Sequence, residues 1–294
     1  MSEANRLNIY LAIATIGRAK ILCKVLERLA LQTRRPDGIV VVGTNAADTE
    51  GVNRAMPGAE VLTSLKGLCR QRNVALTHIA RRADVVIFID DDFLAANDYI
   101  EQVERFMLAD PGLVGLTGHL LGDGAHASEI MFDVAARMLT VPGRVTARAS
   151  HDTNWLYGCN MAIRVAAAPD LRFDERLPLY GWQEDVDFSN RLGRLGRMMR
   201  MQELTGVHLG TRSGRISGVR FGYSQVANIL YLRRKQTIGA RHGFGLMARN
   251  IGSNLARSLW SEPDIDRRGR LAGNALGLMD LLRGRIDPGR VERL

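Results

Sequence analysis

Val85-Val86-Ile87-Phe88-Ile89-Asp90-Asp91-Asp92-Phe93 is the stretch from which the rest of the chain is best read. Five consecutive apolar residues, rich in Val and Ile, match a strand buried on both faces. Three adjacent carboxylates cannot continue such a strand unless a cation or a ligand neutralises them, so the acids fall at its carboxyl end. In open α/β sheets that edge is where ligands bind, and carboxylates gathered there suit a hard divalent metal carrying substrate phosphates. The competing reading is a solvated loop whose charges do nothing.

Working outward from this strand, apolar runs alternate in kind. Residues 8–14 read as a strand, and Thr15-Ile16-Gly17-Arg18 turns the chain into a helix over 19–32, with Leu22, Leu26, Leu29 and Ala30 at helical spacing. Gln32-Thr33-Arg34-Arg35-Pro36-Asp37-Gly38 breaks that helix before a short buried strand over 39–42. A further strand over 60–63 leads to Gly67 and a helix ending near residue 80. Such alternation predicts an α/β fold: a mostly parallel central sheet flanked by crossover helices on both faces.

Beyond the acids, 98–108 reads as a helix and 114–119 as a strand. The section 121–150, with Gly122, Gly124, Pro142 and Gly143, reads as strands and a loop that shape an acceptor side. Residues 182–195 form a helix opened by Glu184, Asp185 and Asp187 and closed by Arg191 and Arg194, an order that complements the helix dipole. Helices are expected over 223–241 and 246–260, followed by about thirty Arg- and Gly-rich residues. No internal repeat is visible.

At 294 residues and 46% hydrophobic content, the chain can bury a sizeable core. Cys23, Cys69 and Cys159 are odd in number and widely spaced, which argues against a disulfide framework and for a reducing cytoplasm. The polar start lacks the pattern of a secretory signal, and no run approaches the ~18 apolar residues of a membrane span. The net charge of +9 is concentrated after Arg212, where bases greatly outnumber acids. Anionic lipid or a phosphate-bearing substrate fits this excess; nucleic acid does not, because the bases lack interleaved aromatics and no nucleic-acid-binding motif is present.

Five pieces stand in order: Thr15-Ile16-Gly17-Arg18; Gly67 with Arg72-Asn73; Ile89-Asp90-Asp91-Asp92; Gly158-Cys159-Asn160-Met161-Ala162; and Trp182-Gln183-Glu184-Asp185. Asp-x-Asp alone arises by chance in many proteins. Taken together and each at the end of a fitting element, the pieces closely resemble the family 2 glycosyltransferases with a GT-A fold. The resemblance implies a nucleotide-diphospho-sugar transferase fold, with a catalytic domain over 1–211 and a basic, mainly helical extension over 212–294. It also implies inverting, non-processive transfer of one sugar to a saccharide or lipid-linked saccharide, as in exopolysaccharide or cell-surface glycan synthesis.

By the same resemblance, Asp92 is the direct ligand of Mg2+ or Mn2+, Asp90 and Asp91 position the ribose or the metal's waters, and His208 adds a further ligand. Asp185 is the general base and Glu184 orients the acceptor or supports it; a carboxylate suits this task when it reaches the nucleophilic hydroxyl opposite the leaving group. Taken alone, the two acids would merely complement a helix dipole. Thr15 and Arg18 resemble base and phosphate contacts, Arg72 a diphosphate contact, and Gly158, Asn160 and Arg164 the segment along the donor sugar. Trp182 packs an acceptor or donor ring, or else the core.

The chain also departs from the family. The second strand ends in Val42-Gly43-Thr44-Asn45, without the usual base-reading aspartate, and Asp48 comes later. That departure leaves the base open; the resemblance implies UDP first, as the family's commonest donor nucleotide, with GDP and dTDP as alternatives. Phe188-Ser189-Asn190-Arg191-Leu192 replaces the Gln-x-x-Arg-Trp motif of the processive synthases. A lipid-linked acceptor would place a cytoplasmic enzyme on the inner membrane face, held there by its basic helices. Two other readings compete: a metal-dependent nucleotidyltransferase, although Thr15-Ile16-Gly17-Arg18 makes a poor phosphate loop, and a non-catalytic carbohydrate-binding relative, which would need no base.

Overall fold

A computed structural model describes residues 6–125, 128–141, 149–213, 216–259, 262 and 265–294. Among the described residues nine strands form one sheet: β1 (Ile9–Ala14), β2 (Gly38–Gly43), β3 (Glu60–Thr63), β4 (Val85–Asp90), β5 (Phe93–Ala95), β6 (Leu113–Asp123), β7 (His151–Asp152), β8 (Asn160–Arg164) and β9 (Arg197–His208). The helices are α1 (Ala19–Leu29), α2 (Val52–Ala55), α3 (Leu68–Ile79), α4 (Tyr99–Ala109), α5 (Phe132–Met138), α6 (Glu184–Leu192), α7 (Gly218–Arg234), α8 (Ala240–Arg257) and α9 (Arg267–Leu282).

The sheet order is β3-β2-β1-β4-β8-β6-β9-β5, with β7 beside β9. β3, β2, β1 and β4 are mutually parallel. β8 is antiparallel to both β4 and β6, so β4 and β6 run the same way, and β9 is parallel to β6. The result is a mixed, mostly parallel α/β sheet flanked by helices, as its apolar runs predict. Because β1, β4, β6 and β9 share one direction, their carboxyl ends, and hence Thr15, Asp90, Asp123 and His208, meet at one edge of the sheet.

Val85, Val86, Ile87 and Phe88 are 0% exposed, which agrees with a strand buried on both faces. α1 covers the sheet with Leu22, Val25, Leu26 and Leu29, an i, i+3, i+4, i+7 stripe. Each fully buried side chain of this size contributes roughly 1.5–3 kcal/mol.

The chain divides into two compact units. The first comprises Met1–Lys66, Arg70–Arg172 and Arg191–Gly214, and contains the sheet; the second comprises Gly67–Cys69, Phe173–Asn190 and Arg215–Leu294. This division differs from the boundary expected at 211/212, because 173–190 belongs with the C-terminal helices. Lys235 explains the grouping: its Nζ lies 2.8 Å from Asp187 and 2.5 Å from Asp174, which also accepts from Tyr231 at 2.7 Å.

Several elements depart from expectation. β6 extends to Asp123, and 132–138 is a helix in a section whose glycines and proline point to strands and a loop; the expectations on His126 and on 142–148 lie outside the described residues. The helix expected over 223–241 ends at Arg234, because Gln236 adopts a left-handed φ of 61° that stops it. α9 occupies residues whose Arg- and Gly-rich composition does not announce a helix.

Candidate active site

Asp90, the last residue of β4, and His208, the last residue of β9, meet Asp92 at the sheet edge. Ligand-capable atoms of these three lie within 4.8 Å of one another. His208 Nε2 is 3.3 Å from Asp92 Oδ1 and 3.7 Å from Asp90 Oδ2. Behind the ring, Nδ1 donates to Asp123 Oδ1 at 2.9 Å, and Tyr157 donates its hydroxyl to Asp123 Oδ2 at 2.9 Å. With Nδ1 protonated, Nε2 is the nitrogen available to a cation, an arrangement typical of metal-ligating histidines.

Asp92 is 1% exposed, and its two oxygens differ. Oδ2 accepts from the Thr211 backbone N–H at 2.7 Å and faces Arg18 at 3.6 Å. Oδ1 is buried without a directed hydrogen bond. A dry acceptor is costly unless a proton or a cation compensates it; the His208 ring, 3.3 Å away, does so here, and a bound cation would do the same. Two carboxylates and one imidazole form an oxygen-rich donor set that fits Mg2+ or Mn2+.

Electrostatics separates the neighbouring acids. Burial would raise the Asp92 carboxyl, but the His208 ring and Arg18 outweigh it and hold it well below the usual range. Burial pushes Asp91 up to about 7 against the pull of Arg18, and the Asp92 charge adds to the rise. For His208, burial favours the neutral ring, yet Asp123 and Asp92 outweigh it and push the pKa up to about 10. A cation at Nε2 would compete with that proton for the same lone pair.

Thr15, Arg18 and Asp91 are engaged with one another. Thr15 donates its hydroxyl to Asp91 Oδ2 at 2.8 Å, and Arg18 Nη1 donates to Oδ1 at 2.9 Å. Arg18 also reaches the carbonyls of Thr211 and Ser213, fastening 211–213 beside the acids. That segment approaches closely: a Cβ on Gly210, at φ 69°, would lie 2.1 Å from the Gly124 carbonyl carbon. Arg72 is 3% exposed and donates through Nη2 to Asp90 Oδ1 at 3.0 Å and to the Gly158 carbonyl at 2.7 Å. Asn160 is fully buried, accepts from Thr117 at 2.8 Å, and leaves its Nδ2 without a hydrogen-bond partner.

Arg164 is not brought to this edge. It pairs in register with Val85 at the amino end of β4, roughly 17 Å from Asp90 at the rise of a strand, and donates to the Leu113 and Met107 carbonyls. Asp48 joins the loops after β1 and β2, accepting from the Gly17 N–H at 2.7 Å and from the Thr44 N–H and hydroxyl at 2.8 and 2.6 Å. Sequence reasoning gives neither Asp123 nor Asp48 a part in building the site; the available signal is that each is an acid close behind an apolar strand.

In the second unit, Glu184 and Asp185 open α6. Leu179, Gly181 and Gln183 all have left-handed backbones, at φ 57°, 63° and 72°. Left-handed non-glycine residues are costly and concentrate at functional sites. Glu184 is 5% exposed, whereas Asp185 is half-buried and its Oδ1 accepts from the Val186 N–H at 2.9 Å. Nearby along the chain is an aromatic group: the Phe221 ring centroid lies 5.8 Å from that of Tyr180, which is 52% exposed, and 6.1 Å from that of Trp182.

No family model and no curated protein matches this sequence. Solved structures do. The mannosyltransferase PcManGT from Pyrobaculum calidifontis, in complex with GDP-Man and Mn2+, matches with a TM-score of 0.53 and 16% identity over 98% of this chain and 86% of that one. TarS 1–349 from S. aureus, in complex with UDP-GlcNAc, matches at 0.57 and 16% identity over 98% and 83%. GalNAc-T7, with UDP, GalNAc and Mn2+, matches at 0.55 and 13% identity over 96% of this chain and 56% of that one. The fold is thus GT-A-like, that of the nucleotide-sugar glycosyltransferases. Within it, Asp90, Asp92 and His208 make a possible metal site.

Proposed function

We propose that this chain is an inverting glycosyltransferase of the family 2 type, moving a single sugar from a nucleotide-diphosphate donor, UDP-sugar first among them, to a hydroxyl of a saccharide or lipid-linked saccharide. The observation that carries this reading is the convergence of Asp90, Asp92 and His208 at the carboxyl edge of a GT-A-like sheet. Mg2+ or Mn2+ held by these residues would stabilise the negative charge that develops on the departing diphosphate. The Mn2+ and nucleotide sugars bound by the similar structures support the same donor class.

On this reading Asp91, Thr15 and Arg18 act as one unit that fixes the turn carrying Asp92 beside the donor, while Arg72 holds Asp90 in place and faces the diphosphate. Gly158 and Asn160 line the donor sugar. Asp185 accepts the proton of the acceptor hydroxyl as its oxygen attacks the anomeric carbon and the bond to the diphosphate breaks on the opposite side, which inverts that centre. Glu184 orients the acceptor, and the faces of Tyr180 and Trp182 offer apolar surface to a sugar ring.

Screening nucleotide sugars for Mn2+- or Mg2+-dependent hydrolysis and transfer tests the assignment. Asp185→Asn should keep donor binding and lose transfer about 100- to 10,000-fold. Unchanged turnover in that variant would remove Asp185 from the reaction, and release of pyrophosphate from a nucleoside triphosphate would replace the whole reading with nucleotidyl transfer.

A further inference from the structure

Exposed apolar side chains gather on the last two long helices of the second unit. α8 has 18 residues and buries only Gly243 and Asn254. Phe244 and Leu255 are 47 and 59% exposed, and with Ala248 and Ile251 they recur at helical spacing, which places them on one face; Leu259, in the turn after the helix, is 78% exposed. α9 carries a second row: Leu278 is 36% and Leu282 87% exposed, in helical register with Leu271 and Ala275. No helix among the described residues is long and apolar enough to cross a membrane.

The charges beside these rows have one sign. α8 contains no acid and exposes Arg241, Arg249 and Arg257; α9 exposes Arg268, and Arg283 follows it. The one acid of α9, Asp280, is 1% exposed and engaged by Arg290 and Tyr223. Glu262, between the helices, lies 2.9 Å from Arg267 and 3.7 Å from Arg257. An exposed apolar row on a helix whose exposed formal charges are all arginine is what a helix lying in a bilayer interface presents: the row enters the acyl boundary and the guanidinium groups reach phosphate. A second copy of the chain is a poorer occupant, because a two-fold interface on these helices would bring like charges together.

We propose that α8 and α9 dock this protein on the surface of an anionic lipid bilayer, without spanning it. This goes beyond sugar transfer and does not rest on it, since vesicle binding is read without any donor or acceptor. The full chain should co-sediment with phosphatidylcholine vesicles containing about 30% phosphatidylglycerol, and salt should weaken that binding. Leu255→Glu combined with Leu282→Glu should lower partitioning by at least about tenfold, the least expected from withdrawing one leucine from the interface. Arg241→Gln with Arg249→Gln should weaken binding and flatten its salt dependence. All four positions are exposed, so circular dichroism and melting temperature should stay unchanged. Equal binding to pure phosphatidylcholine, or partitioning unaffected by the leucine changes, would overturn the proposal. A lipid-free dimer dissolved by Leu255→Glu would instead assign the face to a second copy.

Discussion

The two oxygens of Asp92 have different surroundings. Oδ2 is held by the Thr211 N–H, while Oδ1 is dry and directed at His208 Nε2. Asp123 sets the orientation of the ring from behind. Asp123→Asn should therefore weaken Mn2+ binding about 10- to 100-fold without removing any ligand atom, and Asp92→Asn should abolish it; isothermal titration with Mn2+ separates the two. Asp48 provides a pH test away from the ligands. Burial works against its charge, but hydrogen bonds from Thr44, Gly17 and Asn45 outweigh it and hold its pKa below the ordinary value. A depressed carboxylate stabilises the fold fully above its unfolded pKa of about 3.9, and that contribution fades as pH falls through the lower folded value. Asp48→Asn should cost about 1–3 kcal/mol at pH 7, and urea melts should show the gap to the parent chain closing below about pH 4. The acidic trio stands out in the sequence because three carboxylates end an apolar run, whereas a part for His208 comes only from the family resemblance. Asp123 does not stand out, because its partnership with His208 depends on the β6–β9 register, and three register shifts in that pairing leave no trace in local sequence.

Elements are legible where one force forms them. β1, β2 and β4 are continuous apolar runs covered on both sides, so burial alone specifies them. α9 is hidden by its glycines, which lower helix propensity and read as loop. Its packing explains them: a Cβ on Gly273 would lie 2.0 Å from the Val219 carbonyl oxygen, and one on Gly222 of α7 would lie 2.0 Å from that of Arg270. The two helices thus approach backbone to backbone, and tertiary contact overrides propensity. Gly245 and Gly252 of α8 face open space, where a Cβ would meet nothing within 4 Å, so no close approach requires them. The two sets should respond with opposite sign. Gly222→Ala and Gly273→Ala should each destabilise by about 1–3 kcal/mol or more, as overpacking does, whereas Gly245→Ala and Gly252→Ala should each stabilise by about 0.5–1 kcal/mol. Thermal and urea unfolding measure both.

At the scale of the whole chain, the largest difference between sequence and structure concerns which segments belong together. A boundary at 211/212 treats the C-terminal helices as an appendage, yet 173–190, which carries Glu184 and Asp185, forms a compact unit with 215–294. Three links made by α7 and the residue after it account for this: Lys235 pairs with Asp174 and Asp187, Tyr231 donates to Asp174, and Asn228 donates to the Trp182 carbonyl at 2.8 Å. These contacts join residues about fifty positions apart, and no local pattern in the sequence announces them. Asp187 is 0% exposed, so removing its cationic partner leaves a buried carboxylate without that compensation. Lys235→Met should destabilise by about 2–4 kcal/mol, somewhat below the cost of breaking a fully buried pair because Lys235 itself is 24% exposed. The loss should be local in its first effect. Hydrogen exchange of the amides in 173–190 should quicken in the variant while that of β1, β2 and β4 stays as in the parent chain, because the strands draw their protection from a separate core. Equal acceleration in the sheet would show that the two units open together, and unchanged exchange in 173–190 would show that the Lys235 pairs do not hold that segment in place.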